Sequence, residues 1–244
     1  MMRVLYRMSF LRSAPLRGVL CLFLCLFLPL SATFADEDFQ IWLDQTLGHD
    51  LDEFRTLRAD QSFRFGDDVS QLNTYTVLFG LQVHKLSWIE QGFYLRLQQD
   101  RFEESSQNEF RPTYDLTFKW GEWGGLRWID RSRFEYRVRE SQSDRFRYRN
   151  RLKLVLPAEL SPLNLKPYGG VEVFSEVGDS SVLNVTRLRG LMGIQTEADG
   201  FIRRLTLKDG RRLTLDLYLM VQRVDEDSFS ENDYIIGTKA GYFF

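Results

Sequence analysis

Apolar and polar residues alternate one by one along most of this chain. Residues 74–83 (TYTVLFGLQV) place apolar side chains at every odd position, and the same period of two returns in residues 113–120 (TYDLTFKW), 211–222 (RRLTLDLYLMVQ) and 233–244 (DYIIGTKAGYFF). A period of two is produced by a β-strand whose two faces meet different surroundings. Turn-forming clusters such as GDDVSQ, ESSQN and ESQSD separate these segments. The pattern predicts an all-β antiparallel meander with short polar connections.

Two all-β architectures use this alternation in opposite ways. A soluble sandwich turns its apolar faces inward, whereas an outer-membrane barrel turns them towards lipid and lines its lumen with the polar faces. The long segments favour the barrel, because a tilted span needs about 9–11 residues and soluble strands have about five or six. Trp120, Trp123 and Trp128 cluster around one turn, as in an interfacial aromatic girdle. We therefore predict a transmembrane outer-membrane β-barrel, with a soluble periplasmic β-sandwich as the alternative.

The strand count follows from the number of alternating segments. Ten segments are clear, and residues 39–47 (FQIWLDQTL) and 201–209 (FIRRLTLKD) add two weaker ones. Single-chain bacterial barrels have even counts. The sequence predicts twelve strands, or ten if neither weak segment is counted.

Residues 1–35 have the features of a cleaved secretory signal peptide. Four arginines precede the apolar run GVLCLFLCLFLPL, and SATFA supplies small residues for cleavage after Ala35. A membrane anchor is the alternative, and a start at Met8 would leave a signal of ordinary length. Both cysteines, Cys21 and Cys25, fall in this segment, and neither precedes a small residue as a lipid-attachment cysteine would. The predicted barrel domain, residues 36–244, is therefore free of disulfides.

Net charge and export argue against nucleic acid as a partner. The whole chain carries a formal charge of −2, and removal of residues 1–35 takes away four arginines and no acid, which leaves −6. Nucleic-acid-binding domains are usually basic overall. Tyr242 and Phe244 end an alternating segment that resembles the assembly signal of outer-membrane barrels. The expected location is the outer membrane of a Gram-negative bacterium, reached through the general secretory pathway. The expected partners are its lipid and lipopolysaccharide, the barrel assembly machinery and periplasmic chaperones.

Two neighbouring segments, residues 124–140 and 144–157, carry a basic residue at nearly every second position. A charge on the lipid face costs about 2–4 kcal/mol at the bilayer midplane, so these rows are expected to face the lumen. Asp130 is an exception, because it falls on the apolar row and fits there only near a membrane edge. The predicted lumen charges are Arg127, Arg131, Arg133, Glu135, Arg137, Arg139, Arg145, Arg147, Arg149, Arg151, Lys153, Glu172 and Asp216.

The inward arginines have two interpretations. They can fill a narrow lumen by bridging carboxylates, for which Glu90, Asp115, Glu135, Glu172 and Asp216 are candidates. The bases outnumber these acids, so positive charge should remain and could favour an anionic solute or a lipid phosphate. Both a structural barrel and a small-solute channel with an anion bias stay open.

An enzymatic function is the alternative from another class. An outer-membrane lipid hydrolase or acyltransferase needs a nucleophile and a base in hydrogen-bond reach. His49 and His84 lie beside predicted turns, but no serine motif stands near either. The acidic segment 225–233 fails the calcium-loop spacing, because Phe229 occupies a ligand position. We predict no catalytic residues, no metal and no cofactor.

Five segments together resemble a bacterial family catalogued as domain of unknown function 2490. They are EFRPTYDLTFKW, RSRFEYRVRE, RFRYRNRLKLVLP, LKPYGGVEVF and RRLTLDLYLM. The most specific pieces are the row Arg131, Arg133, Glu135 and Arg137, the row Arg147, Tyr148, Arg149, Arg151 and Lys153, and the set Pro167, Tyr168, Glu172 and Phe174. Residues 197–210 depart from the family pattern as an inserted hairpin. The resemblance implies an outer-membrane barrel of a Gram-negative bacterium, and it implies no reaction.

Overall fold

The computed structural model describes residues 37–101, 105–123, 126–140, 142–156, 165–177, 183–197, 212–226 and 229–244. The predicted signal segment and the weak segment 201–209 lie outside these ranges. The strands are β1 (Glu37–Asp50), β2 (Arg55–Gly66), β3 (Gln71–Leu86), β4 (Ile89–Arg101), β5 (Ser106–Trp123), β6 (Leu126–Arg139), β7 (Arg145–Val155), β8 (Lys166–Val177), β9 (Leu183–Glu197), β10 (Arg212–Glu226) and β11 (Phe229–Phe243). No helix in the described ranges is long and apolar enough to cross a membrane.

The described strands close into a barrel of eleven, which confirms the predicted all-β barrel. Strands that are consecutive in sequence pair antiparallel. The first and last strands, β1 and β11, pair parallel and close the barrel. Consecutive antiparallel strands reverse direction at every step, so the first and last of an odd number run the same way. Closure satisfies the backbone edges of β1 and β11, which an open sheet would leave unpaired.

The predicted count of twelve strands is therefore wrong, and so is the alternative of ten. The weak segment 39–47 does form a strand, since it lies within β1. The other weak segment lies outside the described residues, and β9 pairs directly with β10. The even-count rule failed because it assumes antiparallel closure. Here Glu37 lies opposite Asn232 and Gly48 lies opposite Phe243, so β1 starts beside the start of β11.

The exposure of side chains is inverted relative to a soluble protein. On β4, Phe93, Leu95 and Leu97 face outward and are exposed, whereas Tyr94 and Arg96 between them are buried. The same alternation runs around the barrel, and Phe79 on β3 leaves 60% of its surface exposed. Other exposed apolar side chains are Val171, Leu188, Leu215, Leu217 and Leu219. The outer surface is thus an apolar belt, and the charges lie inside.

Four tryptophans gather at one end of the barrel, which we call the tryptophan end. Trp88 follows β3, Trp120 and Trp123 lie in the last four residues of β5, and Trp128 lies near the start of β6. The rings of Trp123 and Trp128 are 5.8 Å apart, and the ring of Trp88 stacks on Phe118 at 6.3 Å. Trp88, Trp120 and Trp123 are all exposed. This arrangement matches the aromatic row that the sequence placed around one turn.

An inward-facing glycine on β11 makes room for a tyrosine that reaches across this strand from β10 towards β1. Gly237 on β11 lies opposite Tyr218 on β10 and Trp42 on β1. A Cβ atom at Gly237 would lie only 2.0 Å from Cζ of Tyr218. The ring instead passes over the glycine, and its hydroxyl donates to Asp44 at 3.4 Å. Part of the lumen is filled by a small apolar cluster of Trp42, Val155, Tyr168, Leu191, Met220 and Ile235.

The arginine-rich lumen as candidate functional site

Ion pairs between β5, β6, β7, β8 and β9 fill one side of the lumen, and we call them the lumen network. Among the described residues, nine arginines lie within salt-bridge distance of five carboxylates. The carboxylates are Glu109, Asp115, Glu135, Glu172 and Glu176. The arginines are Arg111, Arg131, Arg133, Arg137, Arg145, Arg147, Arg149, Arg151 and Arg189. The network therefore keeps a surplus of positive charge.

Glu172 on β8 is the most crowded acceptor of the network. Its side chain has no exposed surface. Arg151, which faces it in register on β7, donates to Oε2 at 2.9 Å, and Arg149 donates to Oε1 at 3.0 Å. Arg131 and Arg189 add hydrogen bonds at 3.2 and 3.4 Å. One carboxylate thus holds four guanidinium groups from three strands.

Glu135 on β6 is the second fully buried acid. Arg149 donates through Nη1 to its Oε1 at 3.0 Å, and Arg111 donates through Nη1 to its Oε2 at 3.3 Å. Next to it, Arg133 forms a two-pronged pair with Asp115, with Nη2 donating to Oδ2 at 2.6 Å. Planar guanidinium groups suit such bridging, because their donors form a rigid fork.

Two acids of the network were missed in the sequence. Glu109 accepts from Nε of Arg137 at 2.6 Å and from Nε of Arg111 at 2.9 Å. Glu176 accepts from Nη1 of Arg137 at 2.8 Å and also binds Arg147. The signal was available, because extending the inward row of β5 back from Asp115 by steps of two reaches Arg111 and Glu109.

Several predicted lumen residues lie at the ends of the network or outside it. Arg127 lies near the tryptophan end, opposite Glu122 and Val155. At the other end, Arg139 donates to the carbonyl of Ser143 at 3.0 Å, and Arg145 lies 3.6 Å from Glu176.

Two further predicted acids pair elsewhere. Glu90 pairs with Lys119 at 3.0 Å on a partly exposed surface. Asp216 accepts a hydrogen bond from the hydroxyl of Tyr168 at 2.6 Å.

Beside the network the lumen holds a cavity of about 260 Å³. We call it the lumen cavity. Its wall, counted over the described residues, contains ten basic and three acidic side chains. The bases are Arg58, Arg64, Arg96, Arg131, Arg133, Arg149, Arg151, Lys153, Arg189 and Lys239, and the acids are Asp44, Asp60 and Asp216. Lys153, the last base of the predicted β7 row, donates to Gln195 at 2.6 Å and lies 3.5 Å from the ring centroid of Tyr168. The basic face predicted for β7 is thus one wall of this cavity.

Asp130, which the alternation left unexplained, belongs to a small polar cluster on the outward-facing row. It accepts a hydrogen bond from Nδ2 of Asn150 at 2.7 Å, and the same nitrogen lies 3.3 Å from Oγ of Ser132. The hydroxyls of Ser132 and Tyr148 are 3.0 Å apart. Asp130 also lies only two residues from Trp128, close to the tryptophan end. Its polar neighbours come from the same row of β6 and β7.

The two histidines and the predicted assembly signal lie away from the lumen network. Nδ1 of His49 is 3.2 Å from the carbonyl oxygen of Phe244, and their ring centroids are 4.9 Å apart. The rings of Tyr242 and Phe244 are 5.8 Å apart. The backbone N–H of His84 donates to the carbonyl of Phe54 at 2.9 Å. In the acidic segment, Asp233 accepts a hydrogen bond from Gln222, and Asp227 lies outside the described residues.

Comparison with known proteins agrees with the resemblance read from the motifs. The model of a family described as protein of unknown function (DUF2490) matches residues 39–233. The chain belongs to this family. A protein of Methylorubrum extorquens (strain AM1), named only as uncharacterized, is 24% identical over 170 residues, which cover 67% of this chain and 74% of that protein. No solved structure matches the chain. The family description itself carries no location and no activity.

Proposed function

We propose that this protein is an integral outer-membrane β-barrel of a Gram-negative bacterium whose lumen is largely closed by the arginine–carboxylate network. The observation that carries the proposal is the inverted exposure. Apolar side chains such as Phe79 and Leu217 face outward, and Glu135 and Glu172 have no exposed surface. In water this arrangement would expose a large apolar belt and bury charge. In a bilayer the same belt meets lipid, and the charges stay inside.

Several further features support the location. The described strands have 11 to 18 residues, which is enough to cross a bilayer at a tilt. The exposed tryptophans Trp88, Trp120 and Trp123 gather at the tryptophan end, as expected at a lipid–water interface. The predicted signal in residues 1–35 fits export, and the expected partners remain lipid, lipopolysaccharide, the assembly machinery and periplasmic chaperones. The proposal includes no enzymatic activity and no nucleic-acid binding.

The lumen supports a structural role better than an open pore. Barrels of about eight strands are filled by their own side chains, and barrels of about 16–18 strands leave an aqueous channel. Eleven strands lie between these limits. Here Arg149 and Glu172 lie inside a network that spans five strands, and a cavity of about 260 Å³ lies beside it. We infer a barrel stabilised from within, with no wide continuous channel.

A second candidate is passage of small anions. The observation that favours it is the composition of the lumen cavity, whose ten bases face three acids. In known pores, a circle of lysine and arginine side chains around the opening selects for anions and phosphates. If the lumen conducts, replacing Arg149 and Arg151 with glutamine should shift ion selectivity away from anions. Unchanged selectivity in a conducting barrel would contradict this candidate.

The deciding experiment combines fractionation with electrical recording. Cell membranes are separated into inner and outer fractions, and the purified protein is run on gels with and without heating. Recovery in the outer membrane with heat-modifiable mobility supports the location, and extraction by salt or alkali without detergent would refute it. The folded barrel is then placed in a planar bilayer under a salt gradient. The absence of conductance supports the closed lumen. Discrete conductance steps that prefer anions support the second candidate.

A further inference from the structure

We propose that the lumen cavity contains a binding site for a small tetrahedral oxyanion such as phosphate or sulfate, formed by Arg64, Arg96 and Thr76. These side chains lie on β2, β3 and β4, whereas the carboxylates of the lumen network lie on β5, β6 and β8. The site rests on the closed lumen proposed above, because a wide channel would leave these groups fully hydrated.

Arg96 is a buried arginine that forms no salt bridge with any described residue. Only 6% of its surface is exposed, and it lines the lumen cavity. Within the described part of the chain its guanidinium has a single hydrogen bond, from Nη2 to Oγ1 of Thr76 at 3.3 Å, and its Nε has none. No described carboxylate lies within salt-bridge distance of it. The other buried arginines of the lumen, such as Arg111 and Arg149, each bind one or more acids.

Arg64 lies in the same wall and has the same deficit. Its guanidinium lies over the ring of Trp42, 4.0 Å from the centroid, which fixes the plane of the group. Its Nε is buried and has no partner in the described residues. Arg64 and Arg149 are among the like-charged neighbours of Arg96. Glu135 offsets part of this repulsion at Arg96, and Asp44 and Asp100 offset part of it at Arg64, but none of these three acids forms a salt bridge with either arginine.

The three acids of the cavity wall cannot balance its ten bases, and among the described residues none of them forms a salt bridge with Arg64 or Arg96. Asp60 pairs with Arg58 at 2.8 Å, Asp44 binds Ser62, and Asp216 accepts from Tyr168 at 2.6 Å. A buried charge without a counter-charge is strongly unfavourable. An oxyanion supplies the missing charge together with several acceptors, and guanidinium groups suit phosphate-type oxygens.

The cavity can accommodate such an ion. Water occupies about 30 Å³ per molecule in the liquid, so a cavity of about 260 Å³ has room for a small oxyanion and several waters. The barrel wall separates the site from lipid, so the ligand is a free ion from solution and not a lipid headgroup. Thr76 adds a hydroxyl that can donate to a bound oxygen.

The test is calorimetric titration of the purified, detergent-folded protein with sodium phosphate and sodium sulfate, with sodium chloride at matched ionic strength as the reference. We expect saturable binding of both oxyanions. Arg96→Gln and Arg64→Gln should weaken it by about ten- to hundredfold, as expected for loss of a charged hydrogen-bond donor. Arg101→Gln, an exposed change on the same strand β4, should leave it unaltered.

Three results would overturn the site: no saturable heat, equal binding by Arg96→Gln, or equal binding of chloride. Binding only in the presence of lipopolysaccharide would overturn the assignment to a free ion. A thermal-shift measurement keeps the variants interpretable, since phosphate should raise the melting temperature of the parent protein and not that of Arg96→Gln. The membrane fractionation tests the proposed location separately, so the two proposals can fail independently.

Discussion

Glu135 and Glu172, the two fully buried acids among the described residues, are joined by a single guanidinium. Arg149 donates through Nη1 to Glu135 and through Nη2 to Glu172, each at 3.0 Å. The two carboxylates come from β6 and β8, and the arginine comes from β7 between them. The bridge therefore ties three consecutive strands together through the lumen, in addition to their backbone hydrogen bonds.

The first prediction concerns the removal of one of these charges. Glu172→Gln should destabilise the folded barrel by about 3–5 kcal/mol, because it leaves buried arginines without their counter-charge. The measurement is the free energy of unfolding in denaturant, with the protein folded in detergent or lipid. Glu90→Gln is the matched control, since its pair with Lys119 is partly exposed, and it should cost no more than about 1 kcal/mol. Equal losses in the two variants would contradict a stabilising network.

The second prediction tests the outward apolar belt. Leu217 lies on β10 opposite Ile194 and Thr238, away from both ends of the strand, and faces outward. Leu217→Arg should cost about 2–4 kcal/mol in lipid vesicles, which is the range for a charge near the bilayer midplane. Leu217→Met keeps the apolar surface and should be close to neutral. A soluble protein would tolerate the exposed arginine, so a neutral Leu217→Arg would contradict the membrane proposal.

The alternation of apolar and polar residues was sufficient to predict the barrel, because lipid and lumen impose opposite requirements on adjacent residues. The inward rows of β6 and β7 could be assigned for the same reason, since arginine on the lipid face is costly. The strand count could not be obtained this way. Whether β1 meets β11 parallel or antiparallel depends on backbone pairing between distant segments, and no local pattern encodes it.

The pairing of individual charges was also beyond the sequence. Glu172 contacts arginines on β6, β7 and β9, and these contacts depend on strand register and on side-chain reach across a curved wall. Arg64 and Arg96 stood out in no motif, because the basic residues of β2 and β4 form no row with a period of two. The two arginines are related only in the folded barrel, where both line the lumen cavity.

The third prediction concerns the glycine beneath Tyr218. Gly237→Ala should destabilise the barrel, because the new Cβ would lie 2.0 Å from Cζ of the tyrosine ring and the ring would have to move. Overpacking of this kind costs about 1–3 kcal/mol. The double variant Gly237→Ala with Tyr218→Ala removes the clash, so the glycine substitution should cost less in that background. The measurement is a double-mutant cycle of unfolding free energies. Additive effects would show that the two residues are independent.

The last prediction concerns the hydrogen bond that Asn150 donates to Asp130 on the outward row. Asn150→Leu removes the donor that satisfies Asp130 at 2.7 Å and leaves a carboxylate unpartnered beside lipid. The single variant should therefore lower stability by about 1–3 kcal/mol, the cost of an unsatisfied buried polar group. Adding Asp130→Leu removes the unpartnered carboxylate, so the double variant should recover most of the loss in lipid vesicles. If the double variant is less stable than Asn150→Leu alone, Asp130 has a role that its bond to Asn150 does not explain.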